Sequence, residues 1–77
     1  MKITKEQFEK FSKELKEFGF NAVLRVYDDF ESVSIHKGLE FVSEITSSCI
    51  TFYCWGIKLN LSEKCNILKI AAKYFKE

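Results

Sequence analysis

Cysteine and histidine are the residues of this chain that could hold a metal ion or supply a nucleophile, and it contains three cysteines and one histidine. Cys49 and Cys54 are five residues apart, so a regular strand would point them to opposite faces. His36 belongs to no Cys-x-x-Cys or His-x-x-x-His spacing of the kind found in zinc sites. A Cys–His nucleophile also needs an orienting group and an oxyanion hole, and no local pattern supplies them. The sequence therefore predicts no metal site, no cofactor and no catalytic activity, with the thiols buried as small apolar side chains.

Acidic residues are a second group whose spacing could do chemistry. Asp28, Asp29 and Glu31 surround a predicted turn and could recruit a divalent cation. They lack the glycine and the ligand spacing of an EF-hand loop, which favours a solvated turn. Together with Glu40 and Glu44 they give residues 28–44 five acids against one lysine. We call these five residues the acidic hairpin and regard it as a candidate surface for a protein partner.

Basic residues collect near the other end of the chain, where residues 58–77 hold five lysines against two glutamates. Lys64, Lys69, Lys73 and Lys76 fall on a predicted C-terminal helix and are called the basic helix here. Such lysines offset the helix macrodipole, and they could also bind phosphates while aromatic side chains stack on bases. A net charge of +1 and a single arginine are unlike a typical nucleic-acid binder. Nucleic-acid binding is therefore kept as an alternative function.

A first helix is predicted between two clear capping signals. Thr4 and Gln7 have the spacing of a capping box, and Gly19 can take the left-handed conformation that ends a helix. Apolar residues recur between them at spacings of three and four. These signals predict a helix over residues 5–18 with one aromatic, buried face.

A second helix is predicted to begin after Asn60, because Glu63 lies three residues further on. We expect this helix to bury a stripe of side chains spaced three and four apart, widened by further apolar residues on one flank. The stripe consists of Leu61, Cys65, Leu68, Ala72 and Phe75, and the flanking residues are Ile67, Ile70, Ala71 and Tyr74.

Between the helices the apolar period changes from 3.6 to two, which indicates strands. Strands are predicted over residues 22–27, 32–36, 40–46 and 49–59; the last has the strongest pattern, and residues 39–45 would also suit a short helix. We therefore expect an α+β fold with two layers, in which both helices cover one face of a three- to four-stranded antiparallel meander (αββββα). The length predicts one domain, residues 1–77.

The other face of that sheet should lack an intramolecular cover. Two helices of about 10 Å diameter cover one face of a sheet about 19 Å wide, and one face alone. Aromatic and arginine side chains of the kind that anchor protein interfaces then lie on the uncovered face. An alternative is that a twist near Gly56 buries the tryptophan in the core. The residues expected on this face are Arg25, Tyr27, Thr51, Tyr53 and Trp55.

The overall layout is similar to that of small accessory proteins of phages and prophages of low-GC bacteria. The segment Ile57-Lys58-Leu59-Asn60-Leu61-Ser62-Glu63-Lys64, a strand leading into a helix cap, carries most of the likeness. Anti-CRISPR and other anti-defence inhibitors belong to this group and act by binding. The resemblance implies a host protein as partner, engaged through the uncovered sheet face or the acidic hairpin, and a site of action in the host cytoplasm.

Three functional hypotheses follow from the residues and the resemblance together. The leading one is a non-enzymatic protein-binding module that occludes its partner. The alternatives are nucleic-acid binding through the basic helix and a structural role as a homo-oligomer, for example a homodimer. The N-terminus has no secretory pattern, and residues 45–57 are too short to span a bilayer, which predicts a cytoplasmic protein without membrane contact.

Overall fold

The computed structural model describes residues 3–28, 30–46, 49–53 and 59–75, which form a helix, four strands and a second helix. The predicted α+β order is confirmed. The strands pair antiparallel in the order β1-β2-β3-β4. The elements are α1 (Lys5–Glu17), β1 (Asn21–Val26), β2 (Glu31–Lys37), β3 (Glu40–Ile45), β4 (Ile50–Phe52) and α2 (Leu61–Phe75).

Helix α1 is closed at both ends by backbone groups that find local partners. The Gln7 N–H donates to Thr4 Oγ1 at 3.1 Å and the Thr4 N–H donates to Gln7 Oε1 at 3.0 Å, which completes the predicted capping box. At the other end Gly19 has a φ of 87°, and the Phe20 N–H donates to the Leu15 carbonyl at 3.1 Å. This bond is the mark of a Schellman cap. The helix ends at Glu17, one residue before the predicted end.

Helix α2 begins where its capping signal predicts, because Asn60 and Glu63 exchange side-chain to backbone hydrogen bonds of 2.8 and 3.0 Å. Its predicted buried stripe is wrong except at Phe75, which packs against the core. The helix buries the flanking residues instead: Ile67 and Ile70 are buried, and Ala71 and Tyr74 pack against the core. Most residues of the stripe therefore face solvent. The exposed stripe residues are Leu61, Cys65, Leu68 and Ala72.

The two helices lie side by side and contact each other through aromatic rings and one hydrogen bond. The Phe11 ring, which is fully buried, lies 4.5 Å from the Phe75 ring between centroids. Gln7 Nε2 donates to the Tyr74 carbonyl at 3.2 Å, so one side chain serves both the α1 cap and the last turn of α2. Neither described helix has the length and hydropathy of a membrane span.

One face of the sheet packs against both helices. Val33, Ile35 and Ile45 are buried in a single core cluster with helix residues, and Leu24, Ile50 and Phe52 pack against that cluster. The pairing of β2 with β3 shifts by one residue between Ile35 and His36, which places a bulge at Val42. Val42 and Ser43 are consequently both buried.

The strand with the strongest sequence pattern is the shortest in the structure. The strand predicted over 40–46 is confirmed as β3, whereas the strand predicted over 49–59 is described only at Ile50–Phe52. The Tyr53 N–H still donates to the Val42 carbonyl at 3.0 Å, and Leu59 is buried outside any strand. Residues 54–58 of that prediction lie outside the described part of the chain. The expected burial of the thiols is wrong for Cys49 and Cys65, which are exposed because one precedes β4 and the other lies on the outer side of α2.

Candidate functional site

The sheet face opposite the helices collects polar and aromatic side chains from all four strands. The β1–β2 and β3–β4 registers align alternate residues, and the helices pack on the other set. We call this surface the open sheet face. Its members are Val23, Arg25, Ser32, Ser34, His36, Phe41, Glu44, Thr51 and Tyr53.

The centre of the open sheet face is a hydrogen-bonded polar group. Arg25 Nε donates to Ser34 Oγ at 2.8 Å. Ser32 Oγ donates to Glu44 Oε2 at 3.4 Å, and the Tyr53 hydroxyl donates to Glu44 Oε1 at 3.5 Å. Both serines are fully buried because their short side chains lie beneath larger neighbours. The arginine and the glutamate are therefore tethered on the two sides of β2, and their positions are fixed by the serines below them.

Partial burial raises the pKa of the Tyr53 phenol above its ordinary value, and the nearby negative charge of Glu44 raises it further. The phenol consequently stays protonated and acts as a hydrogen-bond donor to this carboxylate at neutral pH. A protonated phenol beside a carboxylate does not by itself supply a nucleophile. The group is suited to recognition of polar atoms on another molecule.

Aromatic rings border the polar centre at both ends. Phe41 lies between His36 and Tyr53, with ring centroids 5.3 Å and 4.8 Å away, and its contact with Tyr53 is edge-on. At the other end, Tyr27 and Phe30 stack at 4.7 Å across the β1–β2 turn, where both are exposed. An exposed stacked pair extends the open sheet face beyond the strands.

The residues predicted for the uncovered face are in part brought together. Arg25, Thr51 and Tyr53 share the open sheet face, and Tyr27 lies at its border. Trp55 lies outside the described residues. Arg25, Thr51 and Tyr53 could be predicted because side chains alternate between the two faces along both edge strands, β1 and β4.

The sequence did not assign His36, Phe41 or Glu44 to this face, although it named Glu44 in the acidic hairpin. The bulge at Val42 puts Phe41 and Glu44, three residues apart, on one face, whereas regular alternation would separate them. The three-residue spacing of Val42 and Ile45 was the available signal, and it also suits a short helix. A pattern that fits both a helix and a bulged strand could not place these side chains.

The acidic hairpin is not one surface. Asp28 lies in the β1–β2 turn, and Glu31 Oε2 accepts a hydrogen bond from the Ile3 N–H at 2.7 Å, which gives it a structural role. Glu40 lies at the opposite end of the sheet beside the β2–β3 turn, Glu44 belongs to the open sheet face, and Asp29 is outside the described residues. Within the described ranges, no three histidine, cysteine or acidic side chains lie close enough to hold a metal ion.

The basic helix is divided as well. Lys64 lies over the Phe52 ring at 5.8 Å, roughly 140° around α2 from Lys69. Lys73 donates to Glu14 at 2.8 Å, and this bond lowers the pKa of the glutamate and raises that of the lysine. Lys76 is outside the described residues. The phosphate backbone of a nucleic acid would therefore meet lysines on two separate sides of α2, and Lys73 is already paired with Glu14.

A shallow groove of about 310 Å³ lies between the helices beside the Glu14–Lys73 ion pair. It is open to solvent, and its lining mixes both charges with two apolar side chains. The lining residues are Glu14, Glu17, Phe18, Lys69, Ile70 and Lys73.

Comparison of the chain with models of protein families, with curated proteins and with solved structures finds no match in any of the three.

Proposed function

We propose that this chain is a small non-enzymatic binding protein and that its open sheet face contacts a protein partner. The observation that carries the proposal is the tethering of Arg25 and Glu44 through Ser34 and Ser32 on a face that the helices leave uncovered. Side chains held in place before binding lose less conformational entropy when a partner arrives, which favours affinity.

The composition of the face supports a protein partner. Arginine and tyrosine are enriched among the residues that dominate binding energy at interfaces; here Tyr53 lies against the Phe41 ring, and Arg25 is held by Ser34 on the same face. Arg25 on β1 and Glu44 on β3 are two strand spacings apart, about 10 Å. A partner surface with an acid and a base at that separation, next to an apolar patch, would satisfy all three features.

Size indicates how such an interface would act. Three strands of six or seven residues and one of three give a face of roughly 350 Å², a little under half of what one partner contributes to a standard interface. The exposed pair Tyr27 and Phe30 enlarges it at the β1–β2 turn. The protein would then act by occluding a site on its partner, and the likeness to anti-defence inhibitors makes a host protein in the cytoplasm our proposed partner.

The test compares surface variants that leave the core untouched. Chemical crosslinking in an extract of the cells that carry the gene identifies partners, and biolayer interferometry measures their affinity. Arg25→Glu and Thr51→Arg each alter an exposed position of the open sheet face. We expect either change to weaken binding at least about tenfold, in line with the loss of an interface anchor.

Matched controls place the same chemical changes elsewhere. Lys13→Glu reverses a charge on the outer side of α1, and Leu61→Arg adds an arginine to the exposed stripe of α2. Both should bind as the unmodified protein does, with thermal melts confirming the fold of all four variants. Binding that survives Arg25→Glu and Thr51→Arg but is lost in Leu61→Arg would place the interface on α2 and refute the proposal.

A further inference from the structure

The outer edge of β1 carries backbone groups that have no partner strand on that side among the described residues, since β1 is the first strand of the sheet. The Tyr27 N–H donates to the Phe30 carbonyl at 2.8 Å, which fixes which residues bond inward. In an antiparallel pair, every second residue of a strand directs its N–H and C=O groups to the neighbouring strand. Val23 and Arg25 therefore bond to β2. The N–H and C=O groups of Ala22, Leu24 and Val26 point outward, away from the sheet. No turn, loop or side-chain hydrogen bond among the described residues reaches these outward groups.

The edge lacks most of the features that usually prevent strand pairing. Natural edge strands are protected by proline, bulges, charged side chains or a covering element. The chain has no proline, the β1–β2 register runs without a shift, and Arg25 is the sole charge within Asn21–Val26. Apolar side chains are exposed along the edge instead, with Val23 45% and Val26 70% accessible.

We propose that β1 pairs antiparallel with β1 of a second copy of this chain, with Leu24 opposite its own counterpart. In this register Ala22 of one copy lies opposite Val26 of the other, so all three outward-directed residues fall in closely hydrogen-bonded pairs, with about six backbone hydrogen bonds in total. The two four-stranded sheets then form one continuous sheet of eight strands. This association uses the edge of β1, whereas the binding proposed above uses the open sheet face; Val23 and Arg25 belong to both surfaces.

The side chains of β1 are self-complementary in that register, which argues for a second copy as the occupant. On the helix side, the exposed Val26 meets Ala22, a partly buried position at the rim of the other copy's core. On the open side, Val23 meets Arg25, so the apolar side chain packs on the aliphatic stem of the arginine. Ser34 holds the Arg25 Nε over its own sheet at 2.8 Å, which directs the two guanidinium groups away from each other.

The same geometry sets the strength of association and the arrangement of the pair. A strand edge about 20 Å long buries less than the roughly 800 Å² per partner of a standard interface, so the dimer should dissociate on dilution in the micromolar range. The twofold axis is perpendicular to the sheet, as in any antiparallel pair of identical strands. Both open sheet faces therefore point in the same direction, and the dimer would present two copies of the proposed binding surface side by side.

The test measures oligomeric state and the exposure of individual amides. Sedimentation equilibrium from about 1 μM to about 1 mM should give a monomer–dimer equilibrium. Amide hydrogen exchange followed by NMR should show protection of Ala22, Leu24 and Val26 that increases with protein concentration, whereas Val23 and Arg25 should be protected at every concentration because they bond to β2. This alternating pattern is specific to pairing at the outer edge.

Val26→Pro removes one outward N–H from an exposed edge position and leaves the bonds to β2 intact. We expect it to weaken dimerisation at least about tenfold, since two interchain hydrogen bonds are lost per dimer, while Val26→Thr retains the N–H and should stay within about threefold. Far-UV circular dichroism checks that both variants are folded.

Other outcomes would overturn the proposal. These are a monomer throughout the concentration range, a dimer unchanged by Val26→Pro, or concentration-dependent protection confined to α2 around Leu61 and Leu68. Protection of the edge amides in a monomer, seen upon addition of a different protein alone, would assign the edge to that protein instead. None of these results depends on whether Arg25→Glu disrupts binding at the open sheet face, so the two proposals fail separately.

Discussion

Ile67 and Leu68 are neighbours on α2, but one lies in the core and the other faces solvent. Ile67 is 0% accessible and Leu68 is 43% accessible. The apolar pattern of the sequence predicted that Leu68 belongs to the buried stripe, with Ile67 on its flank. Truncation of each residue to alanine therefore separates the two descriptions of the helix, and each variant is the control for the other.

The expected losses follow from the three carbon atoms that each truncation removes. For Ile67→Ala, about 0.8 kcal/mol per buried methylene gives roughly 2.4 kcal/mol, and a cavity term raises the total to about 3–4 kcal/mol. For Leu68→Ala about half of the transfer term applies and no cavity forms, while alanine is a slightly better helix former, which leaves about 1 kcal/mol. The core truncation should cost about 2–3 kcal/mol more.

Urea unfolding followed by far-UV circular dichroism measures this difference. A domain of this size is expected to have an m value near 1 kcal/mol per molar, so the midpoint of Ile67→Ala should lie about 3 M below that of the unmodified protein. Total stability for 77 residues is about 4–12 kcal/mol, which makes that loss a large share of the whole. Equal midpoints for the two variants, or a lower one for Leu68→Ala, would refute the assignment of the buried face.

Three further predictions concern caps and titrating groups. Gly19→Ala should lower the melting temperature by several degrees, because a β-carbon at a φ of 87° costs about 1–2 kcal/mol; Gly19→Asn should cost less, and equal melting temperatures for the two variants would contradict this. Hydrogen bonds from the Lys37 ammonium and the Asn60 N–H hold the pKa of Glu63 below its ordinary 4.5. A carboxyl group whose pKa is lowered on folding contributes stability that is present above its ordinary pKa and is lost as the pH falls through the folded-state pKa. Glu63→Gln should therefore reduce the loss of stability with acid in urea titrations from about pH 6 to about pH 3. An unchanged slope would argue against the Lys37–Glu63 pair. Tyr53→Phe should remove the phenolate that forms above the ordinary pKa of 10.0 in an ultraviolet absorbance titration, and persistence of that component would assign it elsewhere.

Helix boundaries were predictable because their signals are local. The Thr4–Gln7 and Asn60–Glu63 pairs each satisfy backbone donors within one turn, and Gly19 takes a positive φ that few other residues tolerate. Such preferences depend on four to six consecutive residues, so the rest of the chain does not alter them.

The buried face of α2 and the length of β4 depend on residues far away in sequence. Apolar side chains cover about half the circumference of α2, and the core takes the part that holds Ile67 and Ile70, together with Phe75 where it packs on Phe11. Alternation over residues 49–59 is compatible with a long strand, but within the described residues β4 is Ile50–Phe52, which pairs with β3 from Ser43 to Ile45. Periodicity measures compatibility with an element, and the pairing partner decides where the element ends.

The candidate site likewise combines residues that local patterns predict with residues that depend on distant strand pairing. Arg25, Thr51 and Tyr53 could be assigned to one face because β1 and β4 follow a period of two. Phe41 and Glu44 could not, since their common face results from the bulge at Val42, which exists through the pairing of β2 with β3. The sequence therefore predicts the outer columns of the open sheet face, whereas its acidic member and its central ring require the three-dimensional register.

The Gln7 side chain has a consequence for the timing of synthesis. Its amide closes the α1 cap as soon as residue 7 has left the ribosome with its neighbours, but its second bond needs the carbonyl of Tyr74. The strands β1, β2 and β3 pair with successive neighbours and can assemble while the chain grows. Phe11 cannot complete its packing while the chain grows, because the ring that it packs against belongs to Phe75. The largest fully buried side chain of α1 therefore keeps part of its surface uncovered until the last turn of α2 has been translated.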